Sequence, residues 1–399
     1  MSLPPAPRTM EKTEDLPNFS LLGGPLHRLG RLLGLVRDGT NTIAIGLVLG
    51  MCLWLVLVVL ALVERLGHVL FSIEAVGAHV RLLAAIPLLF LCETMIDPRF
   101  ATFVRRMMRL RVVRASARPE LEVEIARVAR WKDAWLPEAI FLLACVLLAQ
   151  TTPNVNFITY LSGVPGEAVA DAVRDATWTS RWYWSVCMPL FRFLWLRWLW
   201  RLALWCFLLW QMSRMELRLI PTHPDRSGGL GYLEVVHAEF APVVLAISAV
   251  QSASLAQEIA SGRTTLTSVY PGIAIILFAD ALLFVGPLLV FSRKLWQCWL
   301  KGVNDYGALA ERYVREFDKK WLDAGAAPNE PLLGTPDLQS LADLNNSVSV
   351  VGDMRFVPVG PRLLVPLTVA ALLPLAPLVL FKYPLAELLA KFVAGMFGL

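Results

Sequence analysis

The chain is poor in charge and lacks the sequence signatures of common catalytic and cofactor sites. Charged residues make up 17% of its 399 residues, against roughly 25% in a typical soluble domain. None of the six cysteines belongs to a Cys-x-x-Cys pair, which argues against disulfide, zinc and iron-sulfur sites. The sequence has neither a Walker A loop nor a Gly-x-Gly-x-x-Gly fingerprint, and no alternating stretch is long enough for a nucleotide-binding sheet. We therefore expect no cofactor and no nucleic-acid partner.

Long apolar stretches are what the sequence has instead. Hydrophobic residues make up 56% of the chain, and its mean hydropathy is +0.57. The first stretch has no charge and would be about 34 Å long as a helix, enough to cross a hydrocarbon core of about 30 Å. The pattern predicts an all-α polytopic membrane protein with interfacial and cytoplasmic helices, whose main partner is the lipid bilayer. The seven predicted spans are Asn41 to Val63, Val76 to Ile96, Trp135 to Thr152, Trp182 to Trp210, Phe240 to Gln257, Thr264 to Ser292 and Leu363 to Phe381.

Loop charge predicts the orientation of these spans. With seven spans and a cytoplasmic N-terminus, 27 of the 37 arginines and lysines fall on the cytoplasmic side, seven fall outside, counting Arg81 at the outer end of the second span, and three lie deeper within a span. This asymmetry agrees with the positive-inside rule, so we expect a periplasmic C-terminus. The fifth span is small and rich in serine, but deleting it would move the nine basic residues of 293–362 outside. The loop charges therefore predict that this serine-rich stretch does cross the membrane.

The segments between and beyond the spans are predicted to be helical or interfacial. The first 20 residues lack the apolar core of a cleavable signal peptide. Residues 385–397 have the spacing of an amphipathic helix on the outer surface, with a re-entrant half-helix as the alternative. The predicted organisation is 1–40, a tail and an interfacial basic helix; 41–98, spans one and two; 99–134, a cytoplasmic helical pair; 135–212, spans three and four; 213–239, a cytoplasmic loop; 240–292, spans five and six; 293–361, a cytoplasmic helical region; and 362–399, span seven and a C-terminal interfacial helix.

The loop PTHPDRSGGLGYLE, residues 221–234, is the densest motif in the chain. Its glycines, Gly228, Gly229 and Gly231, permit backbone conformations closed to other residues, and Arg226 is a candidate to hold an anion against exposed N–H groups. A second interpretation is a metal site. A third is a tight turn between the fourth and fifth spans, in which the polar side chains satisfy the backbone. The candidate metal ligands are His223, Asp225, His237 and Glu239.

Charged residues inside the predicted spans give a second candidate site. Arg192 lies ten residues past Trp182 and Asp280 lies ten past Tyr270, so both fall about 15 Å into spans that run in the same direction. This spacing predicts that they are neighbours near the midplane, either in a polar pathway or as an ion pair that fixes helix packing. Ser248, Gln251 and Ser252 of the fifth span are expected to share this polar centre. Two further arginines of the fourth span, Arg197 and Arg201, are expected near the inner boundary.

Three segments carry a resemblance to a known family. They are the loop 221–234, the segment YGALAERYVREFDKKW at 306–321, and DLQSLADLNNSVSVVGDMRFVPVG at 337–360. On these segments the chain resembles a family of uncharacterised bacterial multi-pass inner-membrane proteins. The resemblance implies a bacterial inner membrane and assigns no activity or catalytic residue.

Two classes of function are compatible with these patterns. The favoured one is a channel or transporter for a small ion or polar solute, with an anion preferred because a basic inner mouth concentrates anions. We expect a homo-oligomer. Gly46 and Gly50 in the first span suit a close helix contact within or between subunits. The alternative is a membrane-anchored enzyme or signalling protein that works through the cytoplasmic loop 221–239.

Overall fold

The structure is a computed structural model that describes residues 20, 21, 23, 42–151, 177–323 and 336–381. Within these residues the chain is helical, and its β pairing is limited to one isolated bridge between Val113 and Leu217. Seven helical stretches are long and apolar enough to cross a membrane. The predicted all-α polytopic fold is therefore confirmed. The seven spans are Thr42–Val63, Val76–Arg109, Trp135–Thr151, Trp178–Arg214, Ala241–Ala260, Leu266–Phe284 and Pro361–Phe381.

Several spans depart locally from α-helical geometry. The second and fourth spans each contain a π-helical turn, at Val80–Ala85 and at Tyr183–Cys187. The sixth span ends earlier than the sequence predicted, at Phe284, and a 3-10 segment, Gly286–Phe291, follows it. The seventh span changes from an α-helix to a 3-10 helix at Leu373–Phe381. Proline explains the last two changes, because it lacks the N–H that an α-helix needs.

The region 99–134, predicted as a cytoplasmic helical pair, begins as a continuation of the second span. The second span continues without a break as far as Arg109, through Pro98. A proline removes one backbone hydrogen bond and bends a helix without necessarily ending it. Helix Arg118–Asp133 then precedes the third span and has a proline in its first turn, where a missing N–H costs no helical hydrogen bond.

A long helix of 30 residues, Ser292–Trp321, follows the sixth span and is about 45 Å long. Helix Pro336–Gly352 packs against it. Asp337, at the start of this second helix, accepts hydrogen bonds from Lys320 and Trp321 at the end of the first. Val351, near its end, packs against Gly302 in the first half of the first helix. The two helices are therefore antiparallel.

The first span packs closely against the second through two glycines. A Cβ placed on Gly46 would lie 2.7 Å from the Cβ of Phe90, and one on Gly50 would overlap the carbonyl oxygen of Leu82. Gly46 and Gly50 therefore make the intramolecular contact that was one of the two alternatives for them. Leu82 belongs to the π-helical turn of the second span, so the first span supports that turn directly.

The predicted N-terminal and C-terminal interfacial helices lie outside the residues that the structure describes, apart from residues 20, 21 and 23.

Candidate functional site

A cavity of about 250 Å³, with an apolar lining that four polar side chains interrupt, lies between the second, fourth and fifth spans. We call it the membrane cavity. Arg192 and Gln251, two of the predicted midplane residues, both line it. The second and fifth spans contribute side chains spaced four residues apart, which places each set along one helix face. These two sets are Arg81, Ala85 and Leu89 of the second span and Ala246, Val250 and Ser254 of the fifth.

The π-helical turns position the first arginine of this cavity. Arg81 lies in the turn of the second span, and its guanidinium donates to the hydroxyl of Tyr183 at 3.2 Å and to Ser254 Oγ at 3.1 Å. Tyr183 begins the π-helical turn of the fourth span. Gly77 leaves room for the guanidinium, because a Cβ there would lie 2.8 Å from Arg81 Nη1. π-helical turns are rare in proteins overall but are found frequently at functional sites. Because two of them meet at Arg81, this region is a candidate functional site.

Arg192 is the second arginine of the cavity, and its hydrogen bonding is incomplete. Its Nη1 is buried and has no hydrogen-bond partner. The described residues that line the cavity include no carboxylate. Arg81 and Arg192 therefore give the membrane cavity an excess of positive charge, together with amide and hydroxyl groups from Gln251 and Ser254.

Asp280 does not lie beside Arg192, and the predicted pairing of the two is wrong. Asp280 lines a different cavity of about 250 Å³, formed with residues of the fifth and seventh spans that include Val244 and Thr368. Its Oδ2 is buried without a hydrogen-bond partner, and no described cation forms an ion pair with it. Similar depth in two spans does not fix which way each residue faces, because helix rotation is set by packing.

Ser248 and Ser252 face the seventh span and not the membrane cavity. Their hydroxyls donate to the carbonyl oxygens of Ala371 and Pro374. Each of these carbonyls lies three residues before a proline, Pro374 or Pro377, in the segment that turns into a 3-10 helix. Proline has no N–H to close an i to i+3 hydrogen bond, so the serines satisfy acceptors that would otherwise be unpaired in the bilayer.

A buried charge network joins the second, third and fourth spans. Arg201 forms an ion pair with Glu93, and Arg197 lies 3.8 Å from Glu93 and 3.3 Å from Glu138. Glu93, Arg197 and Arg201 are only 4–5% exposed. Arg197 also donates to the carbonyl of Gly23 at 3.0 Å. The expectation that both arginines lie near the inner boundary stays a prediction. The structure adds that carboxylates of neighbouring spans hold both of them inside the protein.

Asp225 organises the loop 221–234. Its carboxylate accepts hydrogen bonds from the backbone N–H groups of Ser227, Gly229 and Gly231 at 2.8–3.1 Å. Arg226, Gly228 and Gly229 all have positive φ angles, which glycine adopts without strain. A Cβ on Gly231 would lie 2.7 Å from the Cβ of Asp225. This geometry is that of a tight turn satisfied by its own aspartate, the third interpretation of the motif.

The four candidate metal ligands are not brought together. His223 contacts Asp225 at 2.8 Å. His237 is fully buried between other partners, since its Nδ1 donates to the carbonyl of Phe284 and its Nε2 accepts from Trp205. Glu239 pairs with Arg99. No group of three or more histidine, cysteine or acidic side chains in the described part of the chain has the geometry of a metal site.

Some residues of the membrane cavity were not among the predicted site residues. Arg81 was assigned to the outer end of a span, and Ser254 carried no sequence signal of its own, nor did Tyr183, which binds Arg81 from outside the lining. The one usable signal was Arg81 itself, an arginine inside an apolar stretch.

The fold and the cavity define a helical integral membrane protein with seven spans and an arginine-lined cavity between three of them. No known protein family, curated protein or solved structure matches the chain.

Proposed function

We propose that the protein is a channel or transporter for a small anion and that the membrane cavity is its binding site. The observation that supports this most strongly is the unpartnered Nη1 of Arg192, buried in a cavity whose described lining has no carboxylate. A buried guanidinium donor without an acceptor is costly. A bound anion supplies that acceptor and neutralises part of the charge of the two arginines.

The other groups of the cavity fit the same role. Tyr183 and Ser254 hold the guanidinium of Arg81, so this arginine is oriented before any ligand arrives. Gln251 adds an amide that can donate to the same ligand. A volume of about 250 Å³ accommodates an inorganic anion or a small carboxylate. The proposed transported species is therefore a small anion whose hydration water is replaced in the cavity by guanidinium, amide and hydroxyl donors.

The test is anion flux in liposomes that contain the purified protein. Chloride, nitrate and acetate are offered in turn, and Arg192→Gln is expected to reduce flux of the transported anion about tenfold or more, because a donor to the bound anion is lost. Arg214→Gln is the matched control, since it removes an arginine from the same span where it is exposed and outside the cavity. Flux that is equal in the Arg192→Gln variant and the unmodified protein would contradict the proposal.

The proposal includes a bacterial inner membrane, a cytoplasmic N-terminus, a periplasmic C-terminus and a homo-oligomeric assembly. The asymmetry of loop charge supports the orientation. The third and sixth spans expose many large apolar side chains, for example Leu143 and Phe278, a surface suited to lipid or to a second copy. In a cysteine-free background, an impermeant thiol reagent added to right-side-out vesicles should label Ser261→Cys and not Ser116→Cys. Light scattering in detergent should give more than one chain per particle.

A further inference from the structure

We propose that the protein has a second anion site, at the loop ends of the second, fifth and seventh spans, that binds a phosphate group. The site is a cavity of about 380 Å³, here called the loop cavity. Four arginines from separate parts of the sequence line it: Arg106, Arg226, Arg355 and Arg362. It shares no lining residue with the membrane cavity.

The position of each arginine follows from the fold. Arg106 is in the last turn of the second span, and Arg362 is the second residue of the seventh. Arg226 lies in the loop 221–234 at a φ of 54°, a backbone conformation that residues other than glycine uncommonly adopt. The Arg355 backbone N–H donates to the carbonyl of Arg226 at 2.7 Å. This bond ties the segment before the seventh span to the loop and brings the arginines to one opening.

The carboxylates of the loop cavity do not neutralise all four arginines. Asp225 is occupied by backbone N–H groups, and Glu234 pairs with Arg355. Asp353 lies 3.4 Å from Arg226, but both side chains are more than half exposed. Such an exposed ion pair contributes little to stability, and it leaves the arginine accessible to another anion.

Arg106 and Arg362 have no carboxylate partner among the residues that the structure describes. Arg106 lies over the ring of Tyr232, with its Cζ 5.2 Å from the ring centroid, a contact that orients a guanidinium and keeps its charge. Two arginines of the loop cavity are therefore available to an external anion.

A phosphate group matches this arrangement better than a halide does. The planar fork of arginine donates two parallel hydrogen bonds to phosphate oxygens, and several arginines can share one phosphate. The loop cavity lies where three apolar spans end, which is the level of lipid headgroups. The phosphate therefore has two sources, an anionic phospholipid headgroup or a soluble phosphate compound, and one experiment distinguishes them.

The experiment measures binding to the full-length protein in two arms. In the first arm, native mass spectrometry counts phosphatidylglycerol bound from mixed micelles, with phosphatidylcholine as the neutral comparison. In the second, the thermal unfolding midpoint is followed as inorganic phosphate or pyrophosphate is added at constant ionic strength. Each arm is repeated on the double variant Arg106→Gln with Arg362→Gln. The matched control is Arg109→Gln with Arg293→Gln, which removes the same charge from exposed positions outside the loop cavity.

We expect the unmodified protein and the control to bind in at least one arm, and the double variant to bind about tenfold more weakly because two charged donors are lost. Binding in the first arm alone identifies the lipid headgroup, and binding in the second identifies a soluble phosphate. Absence of binding in both arms, or equal affinity in the double variant and the control, would overturn the proposal. Both arginines are exposed, so the unliganded midpoint of the double variant should equal that of the control. Anion flux through the membrane cavity tests the proposed function separately.

Discussion

Replacing Glu93 with glutamine is expected to lower the free energy of unfolding by about 3–5 kcal/mol, the usual cost of removing one partner from a buried ion pair. Glu93 is the shared carboxylate of Arg197 and Arg201. Without its charge both guanidinium groups remain buried, and Arg197 keeps Glu138 as a carboxylate partner. The side chain is nearly unchanged in size, so the loss arises from charge and not from a cavity. Unfolding of the detergent-solubilised protein by a denaturing detergent measures the change.

Glu216→Gln is the matched control for this experiment. It makes the same chemical change in an ion pair with Arg114, whose atoms lie 2.9 Å apart. In this pair both side chains are more than half exposed. Exposed pairs contribute about 0–1 kcal/mol, so the control should unfold almost as the unmodified protein does. If Glu93→Gln and Glu216→Gln lower stability equally, the buried network does not hold the three spans together.

Gly50→Ala is expected to have the second largest effect, a loss of about 1–3 kcal/mol from overpacking. The added Cβ would overlap the carbonyl oxygen of Leu82. That atom is backbone and cannot rotate away, so the first and second spans must move apart. Leu82 is next to Arg81 in the π-helical turn. The same substitution should therefore reduce anion flux if the membrane cavity binds the anion.

Gly272→Ala provides the comparison, because nothing lies within 4 Å of a Cβ at that position in the sixth span. Alanine is also the better helix former, so this variant should be at least as stable as the unmodified protein. Thermal unfolding and flux are measured on both variants. Unchanged stability in Gly50→Ala would show that the first two spans are not in close contact at that point.

The sequence predicts the spans well and the contacts between them poorly, for a physical reason. The length of a span is set by the thickness of the bilayer, so apolar runs identify all seven, including the serine-rich fifth. Depth follows from counting residues, whereas the direction in which a side chain faces depends on packing. Arg192 and Asp280 lie at comparable positions in their spans but line separate cavities.

Local irregularities limited the prediction further. The pairing of Arg81 with Tyr183 depends on two π-helical turns, and a regular period of 100° per residue does not describe such turns. Glu93 and Glu138 were visible as acids inside or beside apolar stretches. What the sequence did not indicate is that both would face the arginines of the fourth span. The tight turn at Asp225, by contrast, follows from residue types that commonly build turns.

The two serine hydroxyls that donate to carbonyls of the seventh span constrain how the fifth and seventh spans can move relative to each other. Ser248 and Ser252 are one helical turn apart, and they meet two carbonyls three residues apart. A slip of the seventh span by one residue would leave both acceptors unpaired in the hydrocarbon layer, so this register is locked. The fifth and seventh spans are therefore held to each other as one side of the membrane cavity. Under the proposed function, an opening that admits an anion is then expected between the fifth span and the second and fourth spans, whose π-helical turns interrupt regular helical bonding at Arg81 and Tyr183.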